Sequence, residues 1–410
     1  MRSTLLLFLS IPSLLAAMPA QETATLEPST KVAPLVVKTS RIDLAERLTR
    51  SSGQDVPEIS AGEHYLLTMS SEGEIEVAKG NGVVALVEVE ARPRVLMEMF
   101  ADQVDQALRT AKMVASMAAA SSPATPVDMA KMMDAMFAFP KQVETMTLRV
   151  DGDEAKGWDA HAEFVPVAKG DLEAFAQDVA ASGKGAPRLG EGATAVAVDL
   201  APKALARVAG ALTGLMTAGE GKDQQPRVQK LLDAQIAASD GTMAMVLVPD
   251  AIRMVVGASD ADAMHKLLTS GDWAELQRVY MASMPDADVR VEQEKVGDLD
   301  VVRTRADLGV DSPLLADGKM DGRAAVVGDM LISVVNGGPK AFEAMVQQVR
   351  DGKLERAPLA NGAVLVMSAK IGDMIGMSGQ EAPDGAPDLV RLMLGRKDKA
   401  TLALDVQVRM

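Results

Sequence analysis

The sequence predicts an α+β fold made of tandem repeated units, in which each unit is an antiparallel sheet with helices packed on one face. Three segments with one shared pattern, a glycine followed by a short apolar strand and an amphipathic helix, support this prediction, and they open at Gly82, Gly192 and Gly362. The first two openings lie 110 residues apart (192 minus 82), and matching elements over such a span are typical of an internal repeat. Short connections between the predicted strands favour antiparallel pairing over a doubly wound parallel sheet.

The chain of 410 residues divides into five predicted segments. The first has the features of a secretory signal peptide, because Arg2 supplies a positive start and an apolar run from Leu5 to Leu15 precedes small residues near Ala20. This run is shorter than the roughly 20 residues that a membrane-spanning helix needs. The predicted segments are the signal peptide (1–20), an N-terminal tail or linker (21–60), the first repeat domain (61–183), the second repeat domain (190–350) and a shortened third repeat that completes the second domain (358–410).

The elements of the first unit follow from changes in the spacing of its apolar residues. Alternation of apolar and acidic residues up to Glu90 predicts a half-buried strand. From Pro93 the spacing changes to three or four residues, which predicts a helix with Leu96, Phe100 and Val104 on one face. The predicted elements are a helix (41–50), a hairpin (64–79), a strand (83–91), two helices (from 93 and over 126–137), a hairpin (145–167) and a closing helix (171–181).

The second unit repeats this order, and the third is shorter. Between them, two hairpins turn on Gly297-Asp298 and Gly328-Asp329, where a glycine in the first position fits a type II′ turn. The predicted elements are a strand (193–201), two helices (205–215 and 228–236), a hairpin (242–258), a closing helix (260–268), the two Gly-Asp hairpins, a helix (341–349), and in the third unit two helices (370–377 and 388–394) and a final strand (400–408).

Composition disfavours several classes of function. The formal net charge is -15, which repels the phosphates of nucleic acids, and aromatic residues make up only 3% of the chain, so few side chains could stack on bases. The absence of cysteine excludes disulfides and thiolate metal sites. We therefore predict no nucleic-acid partner, and no integral membrane span once the signal peptide is removed.

The motifs associated with catalysis or cofactors fail on their structural context. A G-x-G-x-x-A pattern opens at Gly80 and again at Gly190, but each precedes a strand, whereas a dinucleotide site needs the glycines at the start of a helix. His64, His161 and His265 are isolated and belong to no recognised metalloprotease or nucleophile motif. We predict no catalytic residue, no metal site and no cofactor.

Methionine is the one unusual excess, with 27 residues in the chain. Met129, Met132, Met133 and Met136 are spaced to share one helix face, and the preceding helix carries further methionines. Three interpretations are open: core packing in place of scarce aromatics, an adaptable apolar groove, or a thioether site for Cu(I). These four methionines are the predicted ligand-binding residues.

The leading functional prediction is an exported, non-enzymatic protein of the periplasm or extracellular space that binds a protein partner or an apolar ligand. It depends on the signal-like N-terminus, the repeats, the methionine-rich helices and the missing catalytic motifs. The alternatives are an exported hydrolase that uses a carboxylate-based site and a structural component of the cell envelope.

Overall fold

One antiparallel sheet of 16 strands runs through the molecule. The computed structural model describes residues 33–50, 55–82, 84–121, 129–153, 155–216, 225–274, 288–307, 318–377, 381–383 and 385–410. Helices account for 34% and strands for 41% of the residues, so the predicted mixture of helices and antiparallel strands is confirmed. The predicted signal peptide over 1–20 lies outside the described residues.

The strands are numbered in chain order, and a separate short pair, β7 and β15, lies outside the large sheet. The strands are β1 Leu35–Thr39, β2 Glu63–Met69, β3 Ile75–Asn81, β4 Val87–Ala91, β5 Val143–Asp153, β6 Gly157–Pro166, β7 Ala186–Pro187, β8 Thr194–Asp199, β9 Ser239–Val248, β10 Ala251–Ala258, β11 Asp288–Val296, β12 Leu299–Asp307, β13 Lys319–Val327, β14 Met330–Val335, β15 Arg356–Ala357, β16 Ala363–Ala369, β17 Leu389–Arg396 and β18 Leu402–Arg409.

The helices are numbered in the same way. Those with defined bounds are α1 Ile42–Thr49, α2 Pro93–Met99, α3 Ala101–Ser121, α4 Met129–Ala138, α5 Asp171–Asp178, α6 Pro202–Met216, α7 Gln225–Ala238, α8 Ala261–Leu268, α9 Gly338–Arg350 and α10 Ile371–Gly376. Within the part of the chain that the structure describes, none of the helices has both the length and the apolar character required to cross a bilayer.

The order of strands across the sheet places the C-terminal strands in its middle. The order is β11-β12-β13-β14-β10-β9-β8-β16-β17-β18-β6-β5-β4-β1-β2-β3. Strand β16 pairs with β8, and β18 pairs with β6. The strands of the predicted third repeat therefore connect those of the first to those of the second. The bounds of the domains remain a prediction.

Both predicted Gly-Asp hairpins are confirmed, as β11–β12 and β13–β14. Gly297 and Gly328 have φ angles of 64° and 58°. These lie in the left-handed region, which residues other than Gly, Asn and Asp rarely adopt. The turn residues read from the sequence thus set the register of these two hairpins.

The N-terminal tail predicted over 21–60 is wrong for residues 35–39. These residues form β1, which pairs with β2 on one side and with β4 on the other, and Val37 within it is only 6% exposed. The run from Leu35 to Thr39 has no clear period, but valine and threonine favour strands. Hydrogen bonding to β2 and β4 therefore stabilises a strand that the local sequence did not indicate.

The helix predicted over 388–394 is also wrong, because residues 389–394 lie at the start of β17, where they pair with β18 and, from residue 390 on, with β16. A short run that is apolar at nearly every position fits a helix and a strand equally well. Here the partners on both sides decide for the strand, since a helix would leave the backbone groups of β16 and β18 unpaired.

Neighbouring residues of one strand pack into different hydrophobic clusters. Val255 packs with Phe342 of α9, whereas Val256 packs with Met264 of α8. Because successive side chains of a strand point to opposite faces, α8 and α9 cover opposite faces of the sheet. The predicted arrangement, with helices on one face only, is therefore not confirmed.

The largest core cluster lies on the face that α8 covers, which we call the major face. It includes Leu172 and Phe175 of α5 together with side chains from β5, β6, β8, β16, β17 and β18. Met243 packs against both this cluster and that of α8, which places the two on the same side. Each fully buried Leu or Phe side chain contributes about 1.5–3 kcal/mol, so this cluster holds the two halves of the sheet together.

Candidate functional site

The predicted methionine face lies on α4 and is only partly buried. Met132 and Met133 are half-buried, whereas Met136 is 41% exposed. Met129 begins the helix, and its side chain lies outside the described residues. The three described side chains are thus neither fully buried in a core nor all exposed to solvent.

Helix α3, which packs beside α4, exposes more apolar surface. Met113, Val114 and Met117 are 58%, 57% and 66% exposed, and their spacing places them on one side of the helix. Lys112 of α3 and Asp134 of α4 form an ion pair across the two helices, with 2.5 Å between Nζ and Oδ1. The methionine-rich helices therefore form a pair with exposed thioethers.

An apolar pocket lies where this helix pair joins the sheet. Its volume is about 350 Å³, near the low end of the roughly 300–1,000 Å³ typical of small-molecule sites. Within the described part of the chain, its lining contains no polar or charged residue and consists of Ala91, Pro93, Leu96, Met97, Phe100, Val104, Phe139, Pro140, Val143, Met146 and Phe164.

The pocket is built by a break in the helices and by a bulge in the sheet. The backbone of Phe100 is not helical, with φ -109° and ψ 30°, and this residue therefore separates α2 from α3. On the sheet side, the register between β5 and β6 shifts between Val143 and Thr145, and such bulges re-aim side chains. The rings of Phe139 and Phe164 pack edge to face, with 5.8 Å between their centroids.

Part of this pocket was predictable from the sequence. The helical spacing of Leu96, Phe100 and Val104 predicted one apolar face, and all three residues line the pocket. The contributions of Val143 and Phe164 could not be found, because they come from a bulged strand and its neighbour far along the chain. Met132, Met133 and Met136 do not line the pocket.

Two other cavities differ in having charged side chains. One, of about 530 Å³, is lined in part by Lys184, Asp233 and Asp240. The other, of about 420 Å³, includes Arg188 and Arg391 and lies between β8, β16 and the short β7–β15 pair. The pocket at the base of the helix pair is therefore the most suitable of these three cavities for an apolar ligand, because its lining is apolar.

A charged group flanks the apolar pocket. An Nη atom of Arg92 lies 2.9 Å from Oε1 of Glu144, and an Nη atom of Arg94 lies 3.6 Å from its Oε2. The side chains of Arg92 and Arg94 are only 14% and 13% exposed. The guanidinium groups of Arg92 and Arg94 thus share the carboxylate of Glu144.

Another charged cluster lies between β6 and β18. His161 Nδ1 is 2.6 Å from Asp405 Oδ1, and its Nε2 is 3.0 Å from Glu163 Oε1. Hydrogen bonds to Glu163 and then to Asp405 raise the pKa of His161, and burial opposes them. Lys397 also donates to Glu163 at 2.6 Å, so the four side chains link the two halves of the sheet.

The other histidines lie apart from this cluster. His64 is 6% exposed, and its Nδ1 lies 3.1 Å from the carbonyl oxygen of Gly82. His265 Nε2 lies 3.9 Å from Asp300 Oδ2. Among the described residues, no group of three or more His, Asp or Glu side chains has an arrangement suited to holding a metal ion.

Comparison with known proteins identifies no relative. No protein-family model, no curated protein and no solved structure matches this chain. The site must therefore be interpreted from its own geometry and charge.

Proposed function

We propose that this protein is an exported, non-enzymatic binding protein that holds an apolar ligand in the pocket at the base of α3 and α4. The observation that supports this proposal is the pocket lining, in which residues from α2, α3, β4, β5 and β6 are all apolar. An open cavity with such a lining is filled favourably by apolar surface, at roughly 25 cal/mol per Å² removed from water. The signal-like residues 1–20 are the basis for proposing export.

A neutral fluorescent probe, N-phenyl-1-naphthylamine, tests the proposal, because its emission rises on transfer from water to an apolar site. We expect saturable binding to the wild-type protein. Val104→Trp introduces a larger side chain into the pocket lining and is expected to weaken probe binding about tenfold or more, since a filled pocket leaves no room for the ring system.

The matched control is Val114→Trp, the same substitution in the same helix at a position that is 57% exposed and outside the pocket. Circular dichroism spectra establish that both variants are folded. Equal probe affinity in the two variants, or no saturable binding to the wild type, would reject the apolar-ligand proposal.

A protein partner is the second candidate. The exposed apolar side chains of Met113, Val114 and Met117 favour it, because methionine adapts to differently shaped partner surfaces and these three side chains share one side of α3. Replacing Met113 and Met117 by glutamate should then abolish capture of a partner from the envelope fraction while leaving probe binding in the pocket unchanged.

We also propose that three related units built the sheet. The order β4–β5–β6 recurs in β8–β9–β10 and in β16–β17–β18, each as three sheet neighbours in sequence order. In the first two, helices follow the first strand before the hairpin, and a helix follows the hairpin. A common origin accounts for this order, and fragments 61–183 and 190–350 would test whether each unit folds alone.

A further inference from the structure

The charge beside the apolar pocket indicates what kind of ligand the pocket takes. Arg92 and Arg94 flank Pro93 in sequence, and Glu144 follows Val143, while both Pro93 and Val143 line the pocket. The arginine pair and its carboxylate are therefore next in the chain to residues of the cavity lining, although none of the three charged residues is itself part of that lining.

The guanidinium of Arg94 is not fully hydrogen-bonded. Arg94 is 13% exposed and its nearest carboxylate oxygen lies 3.6 Å away, beyond normal hydrogen-bond length. Its Nε atom is buried and has no hydrogen-bond partner among the residues that the structure describes. A buried donor without a partner is costly, and an anionic group that accepts from it is correspondingly stabilised.

The sign of this charge is opposite to that of the chain. The formal net charge of the protein is -15, so most of its surface repels anions. A guanidinium with an unpartnered donor, held at low exposure beside an apolar cavity, matches a ligand with an apolar chain and one negatively charged end.

We propose that the pocket binds a single-chain amphiphile with an anionic head, the chain lying in the pocket and the head accepting hydrogen bonds from Arg94 and Arg92. A carboxylate and a phosphate head share this chemistry, because both accept paired hydrogen bonds from guanidinium groups. This inference rests on the proposed function, since it assigns a head group to the ligand of the same pocket.

Isothermal titration with three probes of equal chain length separates the two proposals. The probes are dodecanoate, dodecyl phosphate and neutral 1-dodecanol, each below its aggregation concentration. We expect either anionic probe to bind about tenfold or more tightly than the alcohol. Tighter binding of dodecanoate would assign a carboxylate head, and tighter binding of dodecyl phosphate would assign a phosphate head; both results support the inference.

Substitutions of the charged residues test the contact itself. Arg94→Met keeps the apolar stem and removes the charge, so it should weaken anionic binding about tenfold and leave 1-dodecanol affinity within twofold. Glu144→Gln removes the competing carboxylate and should strengthen anionic binding, an effect that a merely structural role for Glu144 does not produce. Arg149→Met, a control in β5 with a side chain that is 59% exposed, should change neither affinity.

The results that contradict each proposal are distinct. Equal affinities for the anionic probes and 1-dodecanol, each retained in Arg94→Met, would overturn the anionic-head inference and leave the apolar-ligand proposal standing. No binding of any of the three probes to the wild-type protein would overturn both.

Discussion

Asp240 is a charged residue in an almost fully buried position. Its side chain is 6% exposed, and Arg356 donates to its Oδ2 at 2.6 Å. Burial by itself would raise the pKa of this carboxyl, but hydrogen bonds from Thr242 and Arg356 outweigh burial and hold the pKa below its usual value. Arg356 also reaches Asp329 in the β13–β14 turn, so one guanidinium connects three parts of the chain.

Replacement of Arg356 by methionine should lower the free energy of unfolding by about 3 kcal/mol at pH 7, because it leaves the buried Asp240 carboxylate without its charged partner. Urea denaturation measures the change. Arg290→Met is the matched control, since its pair with Asp288 has side-chain exposures of 68% and 61% and solvent screens such pairs. Similar losses in the two variants would contradict this account of the buried pair.

His161 should stay protonated to a higher pH than an ordinary histidine, because Glu163 and Asp405 both raise its pKa. The folded-state pKa then exceeds the unfolded value of about 6.5. The stabilisation is therefore complete below that pH and is lost as pH rises through the folded-state pKa. Proton NMR of the His161 ring measures the pKa directly.

The variant Asp405→Asn removes one of the two charges that face His161, so the measured pKa should fall. The effect on folding should stay below about 1 kcal/mol, because the His161 side chain is 43% exposed and solvent weakens such pairs. An unchanged His161 pKa in Asp405→Asn would show that the contact at 2.6 Å does not form in solution.

At the scale of elements, helix ends illustrate how the chain compensates for unpaired backbone groups. Asp260 precedes α8, and its side chain accepts a hydrogen bond from the backbone N–H of Ala263 at 2.9 Å. This is N-cap geometry, which satisfies one of the four free N–H groups at a helix start. The cap positions Met264 and Leu268 toward β10 and β14 in the core of the major face.

Replacing Asp260 by alanine should therefore lower the free energy of unfolding by about 1 kcal/mol. Asp262→Ala, in the first turn of the same helix, is the control and should cost less, since Asp262 contributes only its charge near the helix N-terminus. Chemical denaturation compares the two variants, and a larger loss in Asp262→Ala than in Asp260→Ala would argue against capping by Asp260.

At the scale of the whole molecule, the pairing of β18 with β6 joins the two halves of the sheet. Gly157 lies where β6 begins beside the end of β18. It has φ +97°, and a Cβ atom at this position would meet the carbonyl oxygen of Val408 and the Cα of Arg409. The close backbone approach at this junction therefore depends on the absence of a side chain.

Gly157→Ala should weaken the junction and speed amide hydrogen exchange in β18, with a loss of roughly 2 kcal/mol or more in the free energy of unfolding. Gly82→Ala is the control, because Gly82 has φ +108° but open space around its missing side chain. A loss of stability in Gly82→Ala therefore measures only the backbone strain of a residue with positive φ. Equal losses in both variants, with exchange in β18 unchanged, would mean that contact with β18 plays no part.

The apolar spacing of Leu96, Phe100 and Val104 already predicted one wall of the pocket, because a helix face is a local pattern. Val143, Met146 and Phe164 carry no comparable signal, since a strand residue becomes a pocket residue only through its register and a nearby bulge. Arg94 and Glu144 lie 50 positions apart (144 minus 94), and no spacing rule links them. The predicted methionines were found by an excess of one residue type, which does not indicate exposure.

Local features of the sequence by themselves determined the mixture of helices and antiparallel strands, the Gly-Asp hairpins and the positions of most elements. Turn residues and apolar periods act over a few residues, so they can be read from the chain directly. Only the tertiary structure decided that residues 35–39 and 389–394 are strands, that the C-terminal strands lie at the centre of the sheet, and that two arginines share one carboxylate beside an apolar pocket. Each of these depends on pairing between residues distant in the chain, where the burial and hydrogen bonds of the partner, and not local preference, set the free energy.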